Sequence, residues 1–64
     1  MTKMFKNGLT VAGMVAHLKT LPQNAVISIA SDEEQNAVFM GFYTEVLPYQ
    51  EEVIIAGLSG TERD

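Results

Sequence analysis

The Leu21-Pro22 step constrains this chain more than any other feature, because the apolar period is helical before it and extended after it. Val11, Met14, Val15, Leu18 and Leu21 recur at the spacing of one stripe on a 3.6-residue helix, and Pro22 then disfavours helical geometry at Leu21. The start is equally well marked. Thr10 can accept a hydrogen bond through its hydroxyl from an amide two or three residues on, and Leu9 and Met14 occupy the two positions of a hydrophobic staple. Past the Pro-Gln-Asn turn, residues 25–30 (AVISIA) are dense in β-branched side chains and predict a strand.

Two further extended segments follow. Residues 31–36 (SDEEQN) form a polar connection and residues 37–47 (AVFMGFYTEVL) a longer strand; residues 52–58 (EVIIAGL) form a third, beyond a turn at 48–50. Gly41, inside the longer strand, marks a bulge or a close backbone approach. Short connections make neighbouring strands antiparallel, so the expected fold is α+β: one N-terminal helix packed on a three-stranded antiparallel meander. Residues 1–64 read as one small domain, with a lead at 1–8 and a polar tail at 59–64 expected to be flexible.

That fold leaves apolar surface to spare. A chain of 64 residues buries only about 60% of its unfolded surface, and with no cysteine it has neither a disulfide framework nor a thiolate zinc site to stabilise it. Yet 47% of its residues are hydrophobic and only 19% charged, more apolar surface than one short helix can cover. Along the strands Ile27 and Ile29 oppose Val26 and Ser28, and Val38, Met40, Phe42 and Val46 oppose Phe39, Tyr43 and Leu47. Both faces therefore carry large apolar groups, where a sheet with one wet face would alternate with polar ones. Behind the helical stripe lie Gly13, Ala16 and Thr20, in place of the Lys and Glu of a solvated helix. That back is either a neutral surface or a contact. The expectation is a homo-oligomer, with a dimer favoured. Its candidate interface residues are Gly13, Ala16, Thr20, Phe39, Tyr43 and Tyr49.

Chemistry has weaker signals. Asp32, Glu33 and Glu34 are adjacent rather than alternating and lack the glycine of a calcium loop, which fits a solvated turn better than a cation site. His17 is the one histidine, and no motif around it supplies a nucleophile. Ser28 and Ser31 lack a nucleophile elbow. Residues 57–61 (GLSGT) lack the lysine and following helix of a phosphate loop. The aromatics Phe39, Phe42, Tyr43 and Tyr49 suit a core or an interface more than base stacking. No catalytic, cofactor-binding or metal-binding residue is assigned on this reading, and the expectation is a protein that is not an enzyme. A net charge of −4 has the wrong sign for a phosphate backbone, so direct nucleic-acid binding is not expected. No apolar run approaches the roughly 18 residues of a membrane span. Residues 1–8 also lack the core of a secretory signal, so a cytoplasmic location without membrane contact is expected.

Thr10, Val11, Leu18, Leu21, Pro22, Ala25 and Val26 together make a pattern of Thr-Val, a short helix ending in Leu-x-x-Leu-Pro, then Ala, Val and an extended run. Over the first half of the chain this resembles small accessory proteins of tailed bacteriophages; Met4 and Phe5 lie outside the pattern. The resemblance implies a protein of the infected host's cytoplasm, of a class in which many members bind and redirect a host protein, and it brings no catalytic residues. The acidic charge suits a basic or nucleic-acid-associated partner, since opposite charge accelerates encounter. Two other classes stay open: an oligomeric module holding a nucleotide or other small ligand at a seam lined by Tyr43, Tyr49 and lysines, and a virion or assembly component.

Overall fold

In the computed structural model, which describes residues 2–63, helix α1 runs Val11–Leu18. Its start is the expected one: the Thr10 hydroxyl accepts from Gly13 N–H at 3.0 Å, relieving one orphan amide. The helix closes a turn earlier than the apolar stripe suggests. Thr20 turns its amide and its hydroxyl onto the His17 carbonyl, at 2.9 and 2.7 Å, and the Gln23 side chain donates to the carbonyls of Leu18 and Leu21 at 3.0 and 2.7 Å. These bonds satisfy the C-terminal carbonyls outside the helix and leave Leu21 in the turn.

The strands form two separate antiparallel pairs. β1 (Ile29–Ala30) pairs with β2 (Val38–Phe39), Ile29 opposite Phe39; β3 (Phe42–Leu47) pairs with β4 (Glu52–Gly57), from Phe42 opposite Gly57 to Leu47 opposite Glu52. The α+β class stands, but the three-stranded meander is corrected to two two-stranded sheets. The long strand expected at 37–47 is broken at Met40 and Gly41, because Thr61 folds back onto that point. Met40 N–H donates to the Thr61 carbonyl at 2.8 Å and Gly41 N–H to its hydroxyl at 3.0 Å, while the Gly41 carbonyl accepts from Leu58 N–H at 3.0 Å. A Cβ on Gly41 would lie 3.0 Å from Thr61 Cγ2, so the residue does mark a close approach. The first strand also shrinks, from 25–30 to its last two residues: the segment before Ile29 has no strand beside it to pair with.

The remaining connections are held by local bonds. Between β1 and β2, Ser31 N–H donates to the Ala37 carbonyl at 2.9 Å, and Asp32 accepts from the backbone and side-chain nitrogens of Asn36 at 3.1 and 2.7 Å. Between β3 and β4 a 3₁₀ turn at Pro48–Gln50 ends on Glu51 in the left-handed region, φ 50°, ψ 47°. Past β4, Glu62 bridges to Phe39 and Arg63 N–H donates to the Val38 carbonyl at 2.7 Å, so residues 62–63 run beside β2.

Val38, flanked by β1 and residues 61–63, is the buried hydrophobic residue among those described, at 9% exposure. The two sheets meet where the Phe39 ring lies over Gly57: a Cβ there would sit 2.6 Å from Phe39 Cγ. α1 buries none of its residues; Val11 remains 63% exposed and Val15 46%. The accessible surface is 5868 Å². A compact monomer of 7.0 kDa would expose about 4,000 Å² and have a radius of gyration near ~11 Å, against 12.9 Å here. Roughly 1,800 Å² of surface is therefore in excess of what such a monomer exposes.

Candidate interaction surface

The β3–β4 hairpin displays that excess on both faces. Residues directly opposite in an antiparallel pair share a face, so Phe42, Thr44, Val46, Val53, Ile55 and Gly57 lie on one side. The other side carries Tyr43, Glu45, Leu47, Glu52, Ile54 and Ala56. Val46 is 65% exposed and Tyr43 51%, and both faces keep large apolar groups in solvent.

α1 approaches the first face without closing on it. A cleft of about 590 Å³ separates them, lined on the helical side by Leu9, Val11, Met14 and Val15 and on the sheet side by Thr44, Val53 and Ile55. Its charged lining residues are Glu51 and Glu52, and neither a lysine nor a tyrosine is among them. The stripe that the helical period assigns to a core thus forms one wall of an open groove. Below α1 the lead segment makes its own contact: the Phe5 ring meets His17 edge-on at 4.9 Å between centroids, and Lys3 Nζ stands 5.4 Å from the Phe5 centroid.

The six residues singled out from the sequence fall in three places. Gly13, Ala16 and Thr20 are on or just beyond α1; a Cβ on Gly13 would lie 2.7 Å from Leu9 Cδ1, so that niche is filled by this chain's own staple residue, whereas Ala16 and Thr20 are exposed. Phe39 is half-buried over Gly57. Tyr43 projects from the outer face of β3 and Tyr49 stands fully exposed at the hairpin turn, beside a hollow of about 250 Å³ lined by Leu47, Pro48, Tyr49 and Gln50. Thr44 and Val46, which share a face of β3 with Phe42, are not among those six. The period-2 pattern shows that they share a face, and only the pairing shows that no strand lies beyond them.

The groups weighed for chemistry have structural partners. Ser28 Oγ donates to Met40 Sδ at 3.5 Å, and Ser31 Oγ accepts from Ala37 N–H at 3.1 Å. In 57–61 the Gly60 N–H donates to the Glu62 carboxylate at 3.1 Å. The Asn36 side chain, then its backbone amide, hold the Asp32 carboxyl below the usual aspartate range. Among the described residues no cluster of three His, Cys, Asp or Glu is placed to hold a metal ion, and no helix is long and apolar enough to cross a membrane. Comparison with protein-family models, with curated proteins and with solved structures gave no match.

Proposed function

We propose that this chain is a non-enzymatic interaction protein of the small phage accessory type, which self-associates and acts in the host cytoplasm by covering the surface of a host protein. The observation that carries this reading is the surface excess. Roughly 1,800 Å² beyond a compact monomer is more than twice the ~800 Å² that one partner contributes to a standard interface, room for a second copy and a further protein together. Large apolar side chains stand exposed within that surface, Val46 at 65% and Tyr43 at 51% on the hairpin, and apolar groups exposed together mark interaction sites in soluble proteins.

Charge narrows the partner. The net charge of −4, with Glu45, Glu51 and Glu52 on the hairpin, favours a protein with a basic rim over an acidic one. It also opposes a nucleotide in the cleft, whose charged lining residues are both carboxylates. Immobilised protein incubated with extract of infected cells tests the reading. A host protein retained in fixed ratio, and released as salt is raised, is the expected result; its absence from the eluate would remove the support. Recovery of the chain from purified virions would instead favour the assembly role.

A further inference from the structure

We infer that the outer edge of β3 is a self-pairing edge: two copies join β3 to β3 antiparallel, with Thr44 opposite Thr44, to form one four-stranded sheet. The inference rests on the proposed self-association and specifies the site at which it occurs. Three observations lead to it.

The first is the direction of the backbone groups. Leu58 N–H donates to the Gly41 carbonyl, which makes that pair a hydrogen-bonded one, and alternation along the ladder turns the N–H and C=O of Tyr43, Glu45 and Leu47 toward β4. Those of Phe42, Thr44 and Val46 point the other way. Among the described residues none of them takes part in a hydrogen bond outside its own strand pair, and no strand flanks β3 on that side. The outer edge of β4 is less open: β1 lies beside it and Phe39 caps Gly57.

The second is self-complementarity. A two-fold axis perpendicular to the sheet keeps each face on its own side, so residues pair only with residues of the same face. Centring the axis on Thr44 places Phe42 against Val46, Val46 against Phe42 and Thr44 against itself, and all three outward rows exchange both bonds. It also sets Tyr43 against Glu45. Centring it on Glu45 instead would oppose two carboxylates and bring Pro48, which has no N–H, against Phe42. Every other centre within the strand sets an outward residue against Pro48 or against Met40, whose N–H already donates to Thr61, so one full register remains.

The third is sheet size and area. An isolated two-stranded hairpin is marginal in water, and three or more strands with an apolar face are needed for independent stability. Joining two hairpins supplies four strands, places both copies of α1 over the same face, and draws on the exposed area of Phe42 and Val46, 43% and 65% exposed in the single chain.

The test is a proline placed where it costs the hairpin no bond. Thr44→Pro removes an outward amide only, whereas Glu45→Pro removes one that β4 uses. In light scattering the parent is expected at twice 7.0 kDa and Thr44→Pro at 7.0 kDa with its circular dichroism retained. A dimeric parent with an equally dimeric Thr44→Pro overturns the β3 edge and leaves self-association standing; a monomeric parent overturns both. Should Thr44→Pro fail to fold, cross-linking decides, because the chain has no cysteine of its own. Thr44→Cys treated with a short bis-maleimide is expected to give covalent dimer at least tenfold faster than Tyr49→Cys at the exposed turn. Equal rates in the two variants overturn the inference.

Discussion

Replacing Gly57 by alanine tests how the two hairpins are held together. In an unobstructed strand a Gly-to-Ala change gains about 0.4–1 kcal/mol, since alanine has less backbone freedom to lose on folding. Here the added methyl would meet the Phe39 ring 2.6 Å from Cγ and 3.0 Å from Cβ, so the ring must leave the position in which it joins β2 to β4. Overpacking of that kind costs about 1–3 kcal/mol. A domain of this length has a total stability of only ~3–10 kcal/mol, and each kcal/mol moves the midpoint by about 4–8 °C. The expected result is a fall of about 10 °C in thermal unfolding. The sign separates the two cases. The double variant with Phe39→Ala should recover most of the added-methyl penalty, giving a coupling of about 1 kcal/mol or more. A Gly57→Ala protein as stable as its parent, or strictly additive effects, would show that the ring does not bear on Gly57.

Three smaller changes follow from the same geometry. Thr10→Ala should cost about 1 kcal/mol in urea denaturation through the lost bond to Gly13 N–H, with Thr10→Ser retaining most of it; an unchanged midpoint places the helix start elsewhere. Glu51→Asn should stabilise by about 0.5–1 kcal/mol, since Glu51 sits at φ 50° where a short polar side chain is better tolerated; a loss of stability would show that its side chain makes a contact of greater worth. Asp32, held below its ordinary value of 3.8 by Asn36, stabilises the 31–37 loop at neutral pH and ceases to do so as pH falls through its lowered pKa. Amide exchange at Asn36 should therefore accelerate below that pH in the parent and be pH-independent, apart from intrinsic exchange, in Asp32→Ala.

Local chemistry made parts of this fold legible in the sequence. The Thr10 cap, the polar loop at 31–36 and the limits of β4 each depend on residues within a few positions of one another. The errors come from contacts distant in sequence. AVISIA has strong β-propensity, but that propensity expresses packing against a neighbouring strand, and residues 25–28 have none. Gly41 marks the place where 37–47 breaks but not the agent, which is Thr61, twenty residues on. Gly57 carried the same signal as Gly41, a glycine inside a strand pattern, yet its reason is Phe39. Of the candidate surface, the excess of apolar groups was visible as periodicity. The standing-off of α1 from the hairpin, and hence the cleft, was not, since helical period specifies which residues share a stripe and not what meets it.

The central claim, that association completes this fold, is tested most directly by the dependence of unfolding on protein concentration. When native dimer gives unfolded monomers, a hundredfold rise in concentration adds about 2.7 kcal/mol of apparent stability by mass action. The urea midpoint of the parent protein, followed by circular dichroism from low to high micromolar concentration, is expected to climb accordingly. A midpoint independent of concentration, with a 7.0 kDa particle throughout, would contradict the account and leave the exposed faces to a different protein.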